Sequence, residues 1–335
     1  VEVPRQSGEV FSAVSVDGKT AELPGAGWGL ELELEDGGTS RSHGRTATSC
    51  VLAERGPMRA LVVKTGKLYG DNGELVEYRY ELHFTRRSAD VRLFPRFSNV
   101  AHPAGVLLRR LSLALPWATT GASTYFARTE GGKPIQIETP GTADLYQHAH
   151  NTLSVAGNVP ARAKLSRASG RMLGWTLLEG EIPLKVGLRY AWHMYPKRLR
   201  IDDGVTIDLI PPPLTDDDIP ETAKEPPEVT GRTIGGVGYP QAMGRPGLFR
   251  LSVGESVSHE VWLSFGGRDE RPVEEQFAGG LNPLRAWADP AHVAGTRVFC
   301  AFHPTDPAIL PRYEKAVDTA YDRFLKRRRD RKQYG

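Results

Sequence analysis

The densest set of side chains able to do chemistry is the run Asp144-Leu145-Tyr146-Gln147-His148-Ala149-His150-Asn151. If the run is extended, Tyr146, His148 and His150 project from one face, because side chains alternate along a strand. Two imidazoles at that spacing could share a metal or act as base and partner, with the tyrosine as a second proton donor. No third ligand is evident, and a solvent-exposed or core-edge pair is the plainer account of the same residues.

A second run, Trp192-His193-Met194-Tyr195-Pro196-Lys197-Arg198, sets rings beside cations. Such a surface stacks a sugar ring and neutralises a uronate carboxylate, which makes Trp192, Tyr195, Lys197 and Arg198 candidate substrate-binding residues. The simpler account buries Trp192, ends a strand at Pro196 and leaves Lys197 and Arg198 solvated. Asp216-Asp217-Asp218 offers oxygens to calcium but lacks the spaced ligands of a dedicated loop, and no other cofactor is expected. Gly235-Gly236-Val237-Gly238 has no strand before it, no helix after it and no Lys-Ser/Thr, so it is not a phosphate loop. No serine sits in a nucleophile elbow.

The elements that must position these groups are strands. Glu9 to Val16 ends at Asp17-Gly18, and Gly29 to Glu35 ends at Asp36-Gly37-Gly38 with strict alternation of apolar and acidic faces. Further strands are expected at 59–64, 77–85, 91–98, 106–115, 123–128, 153–155, 175–178, 184–192, 199–201, 205–210 and 256–265. Many antiparallel strands separated by Gly and Asp turns mean an all-β sandwich rather than a βαβ fold. Residues 211–247 break the pattern with Pro211-Pro212-Pro213, Pro226-Pro227 and a Gly-rich stretch, and a structureless segment of that length usually serves function or packs elsewhere.

After Thr305-Asp306-Pro307 the pattern changes to a helix, with Asp306 as N-cap and Pro307 at the first position. Tyr313, Val317, Ala320, Tyr321 and Phe324 form one apolar stripe, and basic residues fill the last turns. From Tyr321 to Lys332 seven basic residues stand against two acidic ones, so the rest of this +3 chain sums to −2. The body is therefore not basic, and no spread of cations with interleaved aromatics points to nucleic acid.

With 335 residues and 39% hydrophobic content, the chain can bury a sizeable core. Its longest apolar stretches, such as Leu111 to Trp117, are strand-length, so no membrane span is expected. Val1-Glu2-Val3-Pro4 lacks the layout of a signal peptide. Cys50 and Cys300 allow at most one internal disulfide and exclude a cysteine-rich zinc site, and buried free thiols are expected.

Several segments together resemble the exo-rhamnogalacturonan lyase-like family: Glu54 to Ala60, Val91 to Asn99, the Trp192 to Lys197 run ending in Tyr-Pro-Lys, Gly254 to Phe265, and Tyr321 to Gly335. The resemblance implies a large antiparallel β-sandwich of galactose-mutarotase-like type over residues 1–300. Residues 301–335 would be a linker and amphipathic helix leading into an α/α toroid, with an N-terminal barrel as the other partner domain. It further implies part of a lyase that removes the C5 proton of a uronic acid and expels the C4 oxygen, with an acidic polysaccharide as partner and an extracellular or periplasmic location. The catalytic residues are expected mainly in the toroid. Two other readings stay open: a stand-alone carbohydrate-binding module using Trp192, Tyr195 and Lys197, and a mutarotase-type enzyme with His148 and His150 as acid and base.

Overall fold

Alternating apolar residues along most of the chain build a two-sheet body in the computed structural model. It describes residues 1–21, 23, 27–71, 73–117, 123–126, 135–138, 143–149, 152–157, 166–169, 171–179, 181–202, 204–212, 248–266, 271–281, 288–298, 306 and 308–330. The strands are β1 Val14–Val16, β2 Lys19–Ala21, β3 Gly29–Leu34, β4 Thr39–Arg41, β5 Ser49–Arg55, β6 Arg59–Gly70 and β7 Gly73–Thr85. They continue with β8 Asp90–Ser98, β9 Val106–Pro116, β10 Ser123–Phe126, β11 Ile135–Glu138, β12 Ala143–Ala149, β13 Thr152–Gly157 and β14 Ser166–Ser169. The last are β15 Trp175–Leu178, β16 Leu184–Leu188, β17 Lys197–Ile201, β18 Gly204–Ile210, β19 Phe249–Leu251, β20 Ser256–Ser258 and β21 Val261–Phe265. Among the described residues three helices follow: α1 Val273–Leu281, α2 Pro290–Thr296 and α3 Pro311–Asp330.

A ten-stranded sheet runs β11-β10-β15-β16-β21-β8-β7-β6-β5, with β20 also paired to β8. A nine-stranded sheet runs β14-β13-β12-β17-β18-β9-β3-β4, with β19 also paired to β9. Every strand pairing is antiparallel, as the Gly and Asp turns of the sequence imply. One continuous core lies between the sheets, drawing Leu30, Leu113, Leu145, Leu199 and Ile207 from one and Tyr80, Leu93, Val186 and Leu263 from the other. Trp28 packs edge-on to Phe11 and Trp117 at 5.1 and 5.9 Å, and Phe265 of the opposite sheet completes the cluster. Tyr80 also pins the sheets through a polar contact, since its hydroxyl accepts from the Leu30 amide and bonds the Ser42 hydroxyl.

The expected sandwich is thus present, with shifts at its margins. Of the run Glu9 to Val16 only Val14–Val16 is strand, while Val10 and Phe11 turn into the core. The strand from Leu184 stops at Leu188, so Trp192 lies in a turn. Helix α3 starts at Pro311 rather than just after Asp306, whose carboxylate instead accepts from the Ala308 amide in the preceding turn. Helix α1, unforeseen in the sequence, lays Phe277 on the outer face of the ten-stranded sheet, stacked 4.3 Å from Trp175 and edge-on to Trp262.

The chain divides into two compact units, Val1–Leu281 and Asn282–Gly335. In the second, Asp289 caps α2 by accepting from the Ala291 and His292 amides, with Pro290 at the first helical position. Helix α3 buries none of its residues: Tyr313, Val317, Tyr321 and Phe324 of the apolar stripe are 44–64% exposed. No described helix is long and apolar enough to cross a membrane.

Candidate functional site

Alternation on β17 decides where the site forms. Lys197, Leu199 and Ile201 face the inter-sheet layer, and Arg198 and Arg200 face outward from the nine-stranded sheet. On β18 the same alternation places Asp208 outward, in a strand whose Val205, Ile207 and Leu209 point into the core. On β12, Ala143, Leu145 and Gln147 face the interior, and Asp144 and Tyr146 face outward.

The register then aligns these outward residues into one polar row. Tyr146 lies opposite Arg198, Arg198 opposite Asp208, Asp208 opposite Ser112, Ser112 opposite Glu31 and Glu31 opposite Arg41. The row crosses six strands from an enclosed end, where Tyr146 is 4% exposed, to an open one at Arg41. A register shift in β9 opposite Glu33 and Leu34 leaves Arg109 as an extra residue, and Arg110 beside it reaches Asp208 diagonally.

Asp208 is the centre of the row. It is fully buried, accepts from Arg110 Nε at 2.8 Å, and has Arg200 Nε 3.5 Å from its other oxygen. That second contact lacks hydrogen-bond geometry, and both Arg200 Nε and Asp208 Oδ2 are buried without a hydrogen-bond partner. Burial pushes the Asp208 carboxyl up to about 6, an effect that nearby Arg110 and Arg198 only partly offset. Arg198 grips Asp144 through Nε at 2.8 Å and through Nη2 in a fork-like contact; burial works against its charge, but the Asp144 pairing together with the nearby Asp208 carboxylate outweighs burial and holds the guanidinium charged. Three guanidiniums, Arg110, Arg198 and Arg200, therefore stand beside two carboxylates, Asp144 and Asp208. The side chains of Arg110, Arg198 and Arg200 keep 21–26% exposure, so this excess of positive charge borders solvent.

The residues singled out from sequence are distributed around this row. Arg198 belongs to it, as does Tyr146, whose hydroxyl donates to the Pro212 carbonyl at 3.2 Å. That bond brings the start of the 211–247 segment, of which Pro211 and Pro212 are described, against β12. His148 lies in β12, where the pairing with β13 shifts register between Gln147 and Ala149. His150, Asp216, Asp217, Asp218 and the Gly235 to Gly238 run lie outside the described residues, as does Cys300. Cys50 is a free, half-buried thiol. Among the described residues, no cluster of three or more His, Cys, Asp or Glu side chains is arranged to hold a metal.

Trp192 is half-buried in the turn before β17, stacked on His193 at 3.6 Å and with the Arg171 guanidinium 4.1 Å from its ring. The ring is thus already engaged within the chain, and Tyr195 is half-buried beside it, ahead of the cis bond to Pro196. Lys197 is 6% exposed and projects from the face of β17 opposite to Arg198, so the two cations do not share a surface. Asp208, Arg110 and Arg200 were missed by motif reading. The signal available was a single acid inside the apolar run Val205 to Ile210, beside a strand alternating Arg198, Leu199, Arg200 and Ile201.

No family model and no curated protein matches the chain. Among solved structures it is similar to an α-galactosidase from Lactobacillus brevis at 11% identity and a TM-score of 0.40, over 83% of this chain and 34% of that one. It therefore spans about a third of that enzyme's length. A protein from Escherichia coli K12 named for an aldose 1-epimerase matches at 11% identity and a TM-score of 0.27, over 79% of this chain and 82% of that one.

Proposed function

We propose that this chain is the saccharide-facing β-sandwich domain of a polysaccharide lyase acting on a rhamnogalacturonan-like, uronic-acid polymer. The observation that carries the reading is the polar row around Asp208, where guanidiniums outnumber carboxylates and Arg200 Nε is left without a hydrogen-bond partner. A planar guanidinium at the edge of solvent suits a uronate carboxylate, which it can meet with two parallel hydrogen bonds. In a β-elimination the same carboxylate takes on enolate character as the C5 proton leaves, so a positive charge held beside it favours the transition state. This domain would bind and neutralise the acidic sugar, and the elimination machinery would lie mainly in a toroid domain of the same protein. The exposed apolar stripe of α3 supports a larger assembly, because large apolar patches on soluble proteins mark interaction sites.

Calorimetric titration of this chain with rhamnogalacturonan oligosaccharides is the direct test, with neutral oligosaccharides of equal length as control. Binding should be confined to the acidic series and weaken about tenfold or more in Arg200→Ala. It should also strengthen as the pH falls from 7 to 5, since Asp208 takes up a proton near pH 6 and the guanidinium excess grows while a uronate stays ionised. Equal affinity for neutral sugars, or weaker binding at pH 5, would count against the charge-based role. An ultraviolet assay for unsaturated product tests the division of labour: turnover only when the chain is part of the longer protein supports it, and turnover by the isolated chain overturns it.

A further inference from the structure

Two basic side chains from opposite sheets are enclosed in the layer between them. Lys197 opens β17 of the nine-stranded sheet and is 6% exposed, and His259 sits between β20 and β21 of the ten-stranded sheet at 4%. The His259 amide donates to the Pro95 carbonyl of β8, and its ring lies alongside Phe97 with 25° between the planes. Both ring nitrogens of His259 are buried without a hydrogen-bond partner, and Lys197 Nζ donates to the Pro196 carbonyl at 3.0 Å.

No carboxylate answers either group among the described residues. From β12, the residue opposite Lys197 is the neutral Gln147, whose carbonyl oxygen already accepts from the Met172 amide. From β8 the inward residues are Val91, Leu93, Pro95 and Phe97, none of them charged. Glu260, next to His259, is taken up by Arg92 and Arg189. The charge that acts on His259 is that of Lys197, and the two repel when both are protonated.

We propose that Lys197 and His259, two buried bases enclosed in the layer between the sheets, form an acid-sensitive site, closed while the pair carries at most one proton charge and opening locally when both side chains are protonated. Burial pushes Lys197 down to about 7, and burial together with the Lys197 charge holds His259 well below the usual imidazole range. The closed state thus binds fewer protons than the open one, and its stability falls with pH. Lys197 contributes that loss as the pH drops from about 10.5 towards 7, and His259 contributes below about 6.5. Asp208 works with the opposite sign below pH 6, and Lys64, pushed down to about 8 where it serves the Ser7 and Glu9 carbonyls, adds to the alkaline part of the curve. The pair therefore has to be read locally.

Amide hydrogen exchange between pH 8 and 5.5, with intrinsic exchange chemistry divided out, supplies that reading. Protection of β17 and of β20–β21 should fall about tenfold or more, while the paired strands β6 and β7 change little. The double substitution Lys197→Met with His259→Phe should flatten the response. Protection that does not vary with pH in those segments, or that falls equally in β6 and β7, overturns the proposal. If the double variant fails to fold, nuclear magnetic resonance on the unsubstituted protein decides: His259 should gain its proton only together with amide opening, and titration near 6.5 with the amides still protected overturns it.

Discussion

On β17 the side chain of Arg198 faces outward and meets both oxygens of Asp144, whereas Lys197, one residue earlier, faces the inter-sheet layer and meets only a backbone carbonyl. Both lose water on folding, and the outcomes differ in direction. Paired with a carboxylate, Arg198 is held charged more firmly than in water; unpaired, Lys197 is driven towards its neutral form near pH 7. The sandwich thus carries its buried charge in two ways within one strand. The outer face sets carboxylates against guanidiniums, firmly at Asp144 and only in part at the buried Asp208, and the inner layer tolerates bases by weakening them.

The comparison breaks most visibly at Asp208. Replacing it with alanine removes the carboxylate that accepts from Arg110 and lies beside Arg200, and should cost about 2–3 kcal/mol in urea unfolding at pH 7, the worth of a charge-assisted hydrogen bond whose guanidinium partners keep some contact with solvent. Asp208→Asn keeps the shape and the acceptor for Arg110 and should lose less. A cost below about 1 kcal/mol for the alanine variant would mean that the outer face is not held by ion pairing. The inner layer should respond with the opposite sign. Lys197→Met keeps the aliphatic stem and removes the amine, so it should raise stability by about 2 kcal/mol at pH 6. The gain should shrink by pH 10, where the folded wild type already holds a neutral amine and the unfolded chain is losing its proton advantage. An unchanged or lower stability at pH 6 would show that the ammonium has a compensating partner.

The same strand shows what the sequence makes legible. Alternation in Gly29 to Leu34, Val91 to Ser98 and Val205 to Ile210 marks strands directly, because at least one side chain in two must leave water. The long pair β6 and β7 extends beyond the expected 59–64 and 77–85, since Lys67 and Glu74, in the added stretches, pair with each other on a partly solvated face where charge carries no burial signal. Helix α1 was invisible for a related reason: its two glycines, Gly279 and Gly280, argue against a helix, and Gly280 is required because a side chain there would strike the Trp262 indole. The site was legible only in part. Arg198 and Tyr146 stand out in motif-like runs, but Asp208, Arg110 and Arg200 meet through register between β9, β17 and β18, and register is a property of pairing that no single strand encodes. Treating Lys197 and Arg198 as one basic surface overlooks that successive strand residues face opposite ways.

The smallest expected effect lies at the enclosed end of the row. Tyr146→Phe leaves the ring in place and removes the hydroxyl that donates to the Pro212 carbonyl, so it should cost about 1 kcal/mol, the net worth of one neutral hydrogen bond. The carbonyl belongs to the first residues after β18, at the start of the long 211–247 segment, so the same variant should raise proteolytic nicking of that segment more than it lowers global stability. Limited proteolysis beside urea unfolding separates the two. Loss of stability without faster nicking would place Tyr146 with the ion pairs of Arg198 and Asp208 as part of the sheet's own bonding, and faster nicking at nearly full stability would make it the tether of the first residues after β18.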